Sequence, residues 1–447
     1  MEENAKSEKK NIAKLGFHYY PDTLHYSERD LAKWLIELDE LGAAWLVIQS
    51  PPDRAIPENF IRGLIRANIE PVIQILLPLP NPPEANDLKP VLEAYSHWGV
   101  RYIQLFDRPN LSTSWSSSAW FQEDLVERFL DRYLPLAEAV QEAGMHPVFP
   151  PLEPGGNYWD SAFLRSAIES ILRRKQTALL EVLVISAYAY TFSKPLDWGS
   201  GGAESWPAVR PYFTPEGSED QRGFRIADWY ASICRTVLGR DLEIFLYGMG
   251  LQFNPADEQG ESFSPEVFAS FAREIAVSLT AENDAKEIQI GESIMPVNPA
   301  VKGASFWLLA ADSESEVYKY SWYPEEGNPL PVVGAIKAWA ADNGKPVLAS
   351  PHSIEGGTRQ LNHYLLLPTY EWGVADWHLD VIRPFVKKYQ PTIGFSLEEA
   401  SLAQQVTVIG NTQVFSESDL DLLRHSGCRV ERISGDGTSI ATQLAER

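Results

Sequence analysis

Two carboxylates stand just past apolar, strand-like runs: Asp107 in Tyr102-Ile-Gln-Leu-Phe-Asp-Arg-Pro-Asn110, and Glu153 in Pro150-Pro-Leu-Glu-Pro-Gly-Gly156. Brought together, such a pair can divide acid and base work between its members. Asp22, Asp53 and Asp312 also follow strand-like runs and would complete an acidic ring. Each has a plainer reading, with Asp107 pairing with Arg108 or capping a loop and Glu153 simply lying in one. Arg108 can fill a site as an ion-pair partner, or clamp a ligand carboxylate with its forked guanidinium. Aromatic residues crowd the same stretches: Tyr19, Trp115, Trp120, Tyr158, Trp159, Tyr188, Tyr190, Trp198, Trp206 and Trp307, with the polar Asn110 among them. Sugars present apolar C–H faces between their hydroxyls, so exposed rings suit them, although any single ring can equally be core packing.

Other chemistries lack their residues. The eight His never pair at metal-ligand spacing, so no metal and no cofactor is expected. Neither a phosphate-cradling G-x-x-x-x-G-K-[ST] nor a G-x-S-x-G elbow occurs. Two cysteines, Cys234 and Cys428, are too few for a disulfide framework or a zinc site and read as small buried residues. Sixty-one acids against 38 bases give a net charge of −23, with no basic cluster beyond short pairs such as Arg173-Arg174. That excludes a nucleic-acid groove and an anionic-lipid surface. No apolar run approaches the roughly 20 residues that span a bilayer. The hydrophilic opening shows no secretory core. The chain is then either intracellular or a trimmed piece of an exported, cell-envelope protein. Its oligomeric state is not legible.

Elements must position these residues. Strand-like runs lie at 15–19, 44–49, 70–76, 102–106, 146–150, 182–187, 243–246 and 304–308. Amphipathic stretches follow them at 28–41, 57–67, 88–98, 122–143, 161–173, 223–238, 265–281 and 331–342. Eight strands each followed by a helix is the count of a closed parallel (β/α)8 barrel, with an open doubly wound sheet as the alternative. Long connections at 191–221 and 252–264 follow strands and would sit on the C-terminal face, where barrels build sites. A third, 282–299, precedes strand eight and contains the apolar triplet 288–290. After residue 343 the pattern restarts, predicting strands at 363–369, 392–395, 406–409 and 429–433 and helices at 376–389, 397–403, 417–426 and 439–446. The expected organisation is a polar tail (1–11), a barrel (12–344) and a small three-layer α/β domain (345–447).

The segment Trp98-Gly-Val-Arg-Tyr-Ile-Gln-Leu-Phe-Asp-Arg-Pro-Asn110, followed by Trp115, resembles the fourth strand of clan A glycoside hydrolases. That strand ends Asn-Glu-Pro-Asn in the family, its Glu being the general acid/base; the matching residues here are Asp107 and Arg108. Ile185-Ser-Ala-Tyr-Ala-Tyr190 is similar to the sixth-strand segment. Glu243-Ile-Phe-Leu-Tyr-Gly-Met-Gly250 is similar to the seventh, which puts the nucleophile position on Gly248. Lys302-Gly-Ala-Ser-Phe-Trp307 resembles the eighth, whose Trp lines the sugar site. The likeness spans residues 12–343. A retaining hydrolase needs two carboxyls roughly 5 Å apart. Arginine stays protonated and cannot act as the acid, and glycine offers no side chain. Separately, Val406-Thr-Val-Ile-Gly-Asn-Thr-Gln-Val-Phe-Ser416 with Val430-Glu-Arg-Ile-Ser-Gly435 resembles one copy of a type 2 cell-wall-binding repeat, a generic α/β module being the plainer reading.

These features point to a carbohydrate-binding barrel without the usual mechanism, its partner a glycan or cell-envelope polysaccharide. The expected binding residues are Tyr19, Asp22, Arg108, Asn110, Trp115, Tyr158, Trp159, Tyr188, Tyr190, Trp198, Trp206, Trp307 and Asp312. One rival is an active hydrolase using Asp107 and Glu153. The other is a non-catalytic structural or assembly protein.

Overall fold

The computed structural model describes residues 14–192, 194–250, 264–280, 295–324, 328–343, 361–368, 376–389, 391–401, 403–412, 414–425, 428–435 and 437–445. The connections at 251–263 and 281–294, and with them the apolar triplet 288–290, lie outside the described residues.

Eight parallel strands run β1 (Leu15–His18), β2 (Trp45–Gln49), β3 (Glu70–Ile75), β4 (Tyr102–Leu105), β5 (His146–Leu152), β6 (Val184–Tyr190), β7 (Ile244–Gly250) and β8 (Val301–Phe306). Each pairs with the next, and β1 closes on β8 through Gly16↔Ser305 and Phe17↔Phe306. A barrel, not an open sheet, is therefore formed. Strands covered on both faces read as near-continuous apolar runs, which is why they were recognisable in the sequence. The outer ring contains α1 (Glu28–Glu40), α2 (Glu58–Arg66), α3 (Ala85–His97), α4 (Leu125–Glu142), α5 (Asp160–Arg173), α6 (Ile226–Leu238), α7 (Pro265–Thr280) and α8 (Pro331–Asn343). The start of α1 is set by a reciprocal capping box between Ser27 and Asp30. One expected boundary is corrected. Residues 177–182 form a short helix, so β6 starts at Val184 instead of 182 and runs on to Tyr190.

Inside the barrel a lower layer is filled by Trp45, Tyr102 and Phe245, whose rings meet edge-on at 5.0–5.7 Å. Two glycines admit the indole. A Cβ on Gly16 would lie 2.6 Å from the Trp45 Cβ, and one on Gly303 would press on its ring at 3.1 Å. Above this layer Gln74 donates to Gln104 at 2.6 Å, and Gln104 donates to the Phe106 carbonyl at 2.8 Å.

The chain divides into two compact units, Met1–Ser350 and Pro351–Arg447. The second unit contains a parallel sheet of β9 (Leu361–Leu366), β10 (Thr392–Gly394), β11 (Ala403–Ile409) and β12 (Arg429–Ile433), in the order β10-β9-β11-β12. Its helices are α9 (Asp376–Tyr389), α10 (Leu397–Ser401), α11 (Glu417–His425) and α12 (Gly437–Ala445). Alternate residues of the strands feed two cores. Tyr364, Leu366, Val406 and Val408 pack with Leu420 and Leu423, while Leu365, Ile409 and Ile433 pack with Ile382, Phe385 and Ile440. Helices on both faces of a sheet make the three-layer arrangement. After β11, Ser416 caps α11 through Asp419, and Arg432 donates to the Gly410 and Phe415 carbonyls.

Candidate functional site

The site assembles where β4 ends. Phe106 and Arg108 both hold positive φ, 64° and 43°, a conformation that costs bulky residues energy and gathers at functional sites. The turn is pinned at several points: Phe106 N–H donates to the Ile75 carbonyl at 3.1 Å, Arg108 N–H to the Pro151 carbonyl at 3.0 Å, and Ser114 Oγ to the Arg108 carbonyl at 2.8 Å. This turns Arg108 inward at the mouth. Its guanidinium lies over the Tyr188 ring, 4.4 Å from the centroid, and Nη2 donates to the Tyr190 hydroxyl at 3.1 Å. Its Nε sits 3.7 Å from Asp107 Oδ2 and 3.3 Å from Glu153 Oε2. The two carboxylate oxygens are therefore within about 7 Å of each other. Asp107 also accepts from the Tyr188 hydroxyl at 2.8 Å.

Burial pushes both carboxyls above their usual range. For Asp107, Arg108 and the Tyr188 hydrogen bond pull the other way. For Glu153, Arg108 again opposes, while Asp107 and Asp160 add to the rise. An acidic ligand would meet an arginine already flanked by two carboxylates, so the clamp for a ligand carboxylate is a poor fit to this mouth.

Gly248, at φ +55°, forms the wall opposite. A Cβ there would sit 2.7 Å from Tyr190 Cε1 and 3.4 Å from Tyr188 Cδ1. The rings of Tyr188 and Tyr190 stack at 5.1 Å with an 11° interplanar angle and occupy the space a side chain at 248 would need. Trp307, half-buried at the end of β8, meets His18 edge-on at 5.0 Å. His18 and Tyr247 complete the inner wall, and sequence reasoning singled out neither. The signal available was slight, a polar residue at the last position of β1 and a tyrosine one place before Gly248.

Several expected binding residues are spent elsewhere. Asn110 is fully buried, donates to the Glu153 and Tyr158 carbonyls at 2.9 Å each, and accepts from Glu153 N–H at 2.9 Å. It straps the loops after β4 and β5 together instead of facing a ligand. Trp115 is buried, its indole donating to the Pro109 carbonyl at 2.8 Å. Tyr19 packs outside the strands against Trp34 and Phe60, its hydroxyl bonded to the His25 carbonyl. Tyr158 meets Phe163 edge-on, and Trp159 is buried beside Tyr212 at 5.3 Å. Trp198 and Trp206 belong to the long loop after β6, donating to Asp220 at 3.3 Å and to the Ser200 carbonyl at 3.1 Å. That loop is organised on Asp220, which is fully buried and also takes Lys194, Thr214 and Arg222. It leaves Phe192, Tyr212 and Phe213 exposed. Trp120 is half-buried.

Asp22 and Asp312 meet at the opposite rim, on His25. Nδ1 of the imidazole lies 3.0 Å from Asp22 and Nε2 lies 3.4 Å from Asp312. Among the described residues these three bring possible metal-ligand atoms within 4.8 Å, a grouping invisible in the sequence because Asp312 is distant along the chain. Each ring nitrogen faces a different carboxylate, an arrangement suited to a carboxylate–imidazole–carboxylate relay. Asp53 is exposed in the loop after β2 and is not part of it. A groove of about 460 Å³ lies alongside, lined by Tyr20, Asp312, Tyr318 and Tyr323 among others. Lys337, which also lines it, is ion-paired with Glu37 and Glu40.

No protein-family model matches this sequence, and no curated protein matches it. Among solved structures the likenesses are distant. An endo-β-1,4-glucanase from Xanthomonas axonopodis pv. citri has 9% identity and a TM-score of 0.41, covering 74% of this chain and 99% of that one. The tandem catalytic modules of a pneumococcal exo-β-D-N-acetylglucosaminidase have 10% identity and a TM-score of 0.38, covering 93% and 98%. A truncated 3-deoxy-D-arabino-heptulosonate 7-phosphate synthase from Thermotoga maritima has 10% identity and a TM-score of 0.34, covering 75% and 90%. Likenesses at this level carry no functional argument; the barrel stands on its own strand pairing.

Proposed function

We propose that the barrel binds carbohydrate at its C-terminal mouth without cleaving it, as a glycoside-hydrolase-like protein whose catalytic positions no longer hold carboxylates. The observation that carries this is the Arg108 Nε wedged between Asp107 and Glu153. A glycosidic bond is cleaved between two carboxyls, so the reacting carbon must lie where this cation sits. Tyr190, lying over Gly248, supports the same reading, because it fills the space of a nucleophile on β7. The tyrosine pair and Trp307 offer rings for sugar faces. The 351–447 unit is proposed as a separate docking module toward a cell-envelope polymer, on the sequence likeness of its β11–α11–β12 segment.

A glycan array probed with the full chain tests this. Binding is expected, with no reducing ends released from the glycans bound. Absence of binding to every glycan defeats the proposal, leaving a structural or assembly role.

One observation favours a second reading, hydrolysis by Asp107 and Glu153. Their oxygens are close enough for an acid–base pair, and both groups are pushed toward the protonated form a proton donor needs. If glycan cleavage is measured and is abolished in Asp107→Asn and Glu153→Gln, this second reading replaces the first.

A further inference from the structure

His18, at the end of β1, and Tyr247, in β7, both face the barrel interior and are 3% and 1% exposed. Their rings meet edge-on at 5.2 Å. His18 Nε2 and the Tyr247 hydroxyl are buried with no hydrogen-bond partner among the described residues. Buried polar atoms are almost always paired, and leaving two neighbours unpaired costs stability that a folded protein does not normally give up without a use. Arg108 Nε, held by ion-pair contact with Asp107 and Glu153 and not by a directed hydrogen bond, lies in the same mouth.

The chemistry of these atoms restricts what can pair with them. Burial, reinforced by the nearby Arg108 charge, lowers the His18 pKa to about 3, so its ring is neutral near pH 7. A neutral imidazole has one donor and one acceptor nitrogen, and a phenol can do either. Burial holds the Tyr247 hydroxyl protonated. A ligand hydroxyl, which donates and accepts, matches both. A carboxylate brings no proton and would face Asp107 and Glu153, and an ammonium can only donate, whereas a hydroxyl does both.

Resting on the carbohydrate reading above, we infer that His18 Nε2 and Tyr247 OH form a deep subsite that receives one hydroxyl of an uncharged sugar, with Trp307 beside it. Neither atom bonds another protein group among the described residues, whereas in the complex one ligand hydroxyl bonds both. Removing the hydroxyl therefore takes no bond from the protein itself, so binding should weaken while stability is kept.

Tyr247→Phe keeps the ring and removes only that oxygen. The experiment is thermal unfolding plus calorimetric titration of the full chain with cello-, malto- and xylohexaose, chitosan hexasaccharide and hexagalacturonate. Tyr247→Phe is expected to unfold at the same or a higher temperature and to bind its uncharged hexasaccharide roughly tenfold more weakly. His18→Phe should behave likewise, and supplies the answer if the first variant does not fold. A clear fall in unfolding temperature for the folded variants marks a structural bond and overturns the inference. So does unchanged affinity, or a preference of the unaltered protein for the chitosan or galacturonate probe. Failure of the unaltered protein to bind any of the five sugars overturns the carbohydrate reading and this inference together. Binding that the variants leave intact overturns the inference alone.

Discussion

Arg108 and Gly248 are the residues on which the proposed loss of hydrolytic chemistry turns, and each can be tested singly. Gly248→Glu would place a carboxylate where the family resemblance puts a nucleophile. The new Cβ lies 2.7 Å from Tyr190 Cε1 and the backbone is at φ +55°, so overlap and left-handed strain add. Destabilisation of roughly 2–4 kcal/mol is expected in denaturant unfolding, with no gain of glycosidase activity. Unchanged stability would show that Tyr190 yields easily and that the position is open. Arg108→Met leaves Asp107 and Glu153 without the cation that lowers both. Their folded-state values already lie above the unfolded ones, so the folded state binds more protons in that interval. Stability from such groups is gained as pH falls through the folded value and levels off below the unfolded one. Removing Arg108 raises the folded values further. The variant, compared with the unaltered protein, should become relatively more stable as pH falls from neutral toward the ordinary carboxylate range of about 4, a gain read by thermal unfolding across that range. A relative loss would mean that the carboxyls are solvated once the arginine is gone.

Elements carry the next level, and here the strap made by Asn110 is decisive. One amide side chain closes three hydrogen bonds between the loops after β4 and β5, fixing Glu153 relative to Arg108. Asn110→Ala should cost about 3 kcal/mol in unfolding free energy, since each bond contributes roughly 1 kcal/mol and buried backbone groups are left unpaired. It should also weaken glycan binding without touching the ligand; a variant of normal stability would place the strap's contribution elsewhere. Asn110 also shows where sequence reasoning stops. Strands and helices were legible because apolar periodicity reports burial directly, and all eight barrel strands emerged near their observed positions. The likeness to a catalytic turn singled out Asp107 and Arg108, which lie just past the C-terminal end of β4. Whether an Asn or a Trp at a strand end faces a ligand or the loop beside it depends on partners far along the chain. Trp115 turned under its loop to Pro109, Tyr19 turned outward to Trp34, and Asp312 reached His25 across nearly the whole barrel sequence. His18 and Tyr247 became visible only once the closed barrel brought β1 and β7 to either side of β8 and their rings together.

At the scale of the whole molecule, the net charge of −23 bears on partner choice before any contact forms. A strongly acidic protein repels polyanions at long range and attracts neutral chains no more than bulk solvent does. The mouth adds two carboxylates against one arginine, with a neutral His18 behind them, so local and global fields have the same sign. The Debye length falls from roughly 30 Å at 0.01 M salt to 3 Å at 1 M, which erases such repulsion while leaving ring stacking and short hydrogen bonds intact. Affinity for an uncharged hexasaccharide should therefore stay level across that salt range in calorimetric titration. Any association with an anionic polymer, whether through the barrel or the 351–447 unit, should strengthen as salt is added. A polymer bound most tightly at low salt would require a basic surface that offsets the acidic excess, and would move the search for the partner from the barrel mouth to that surface.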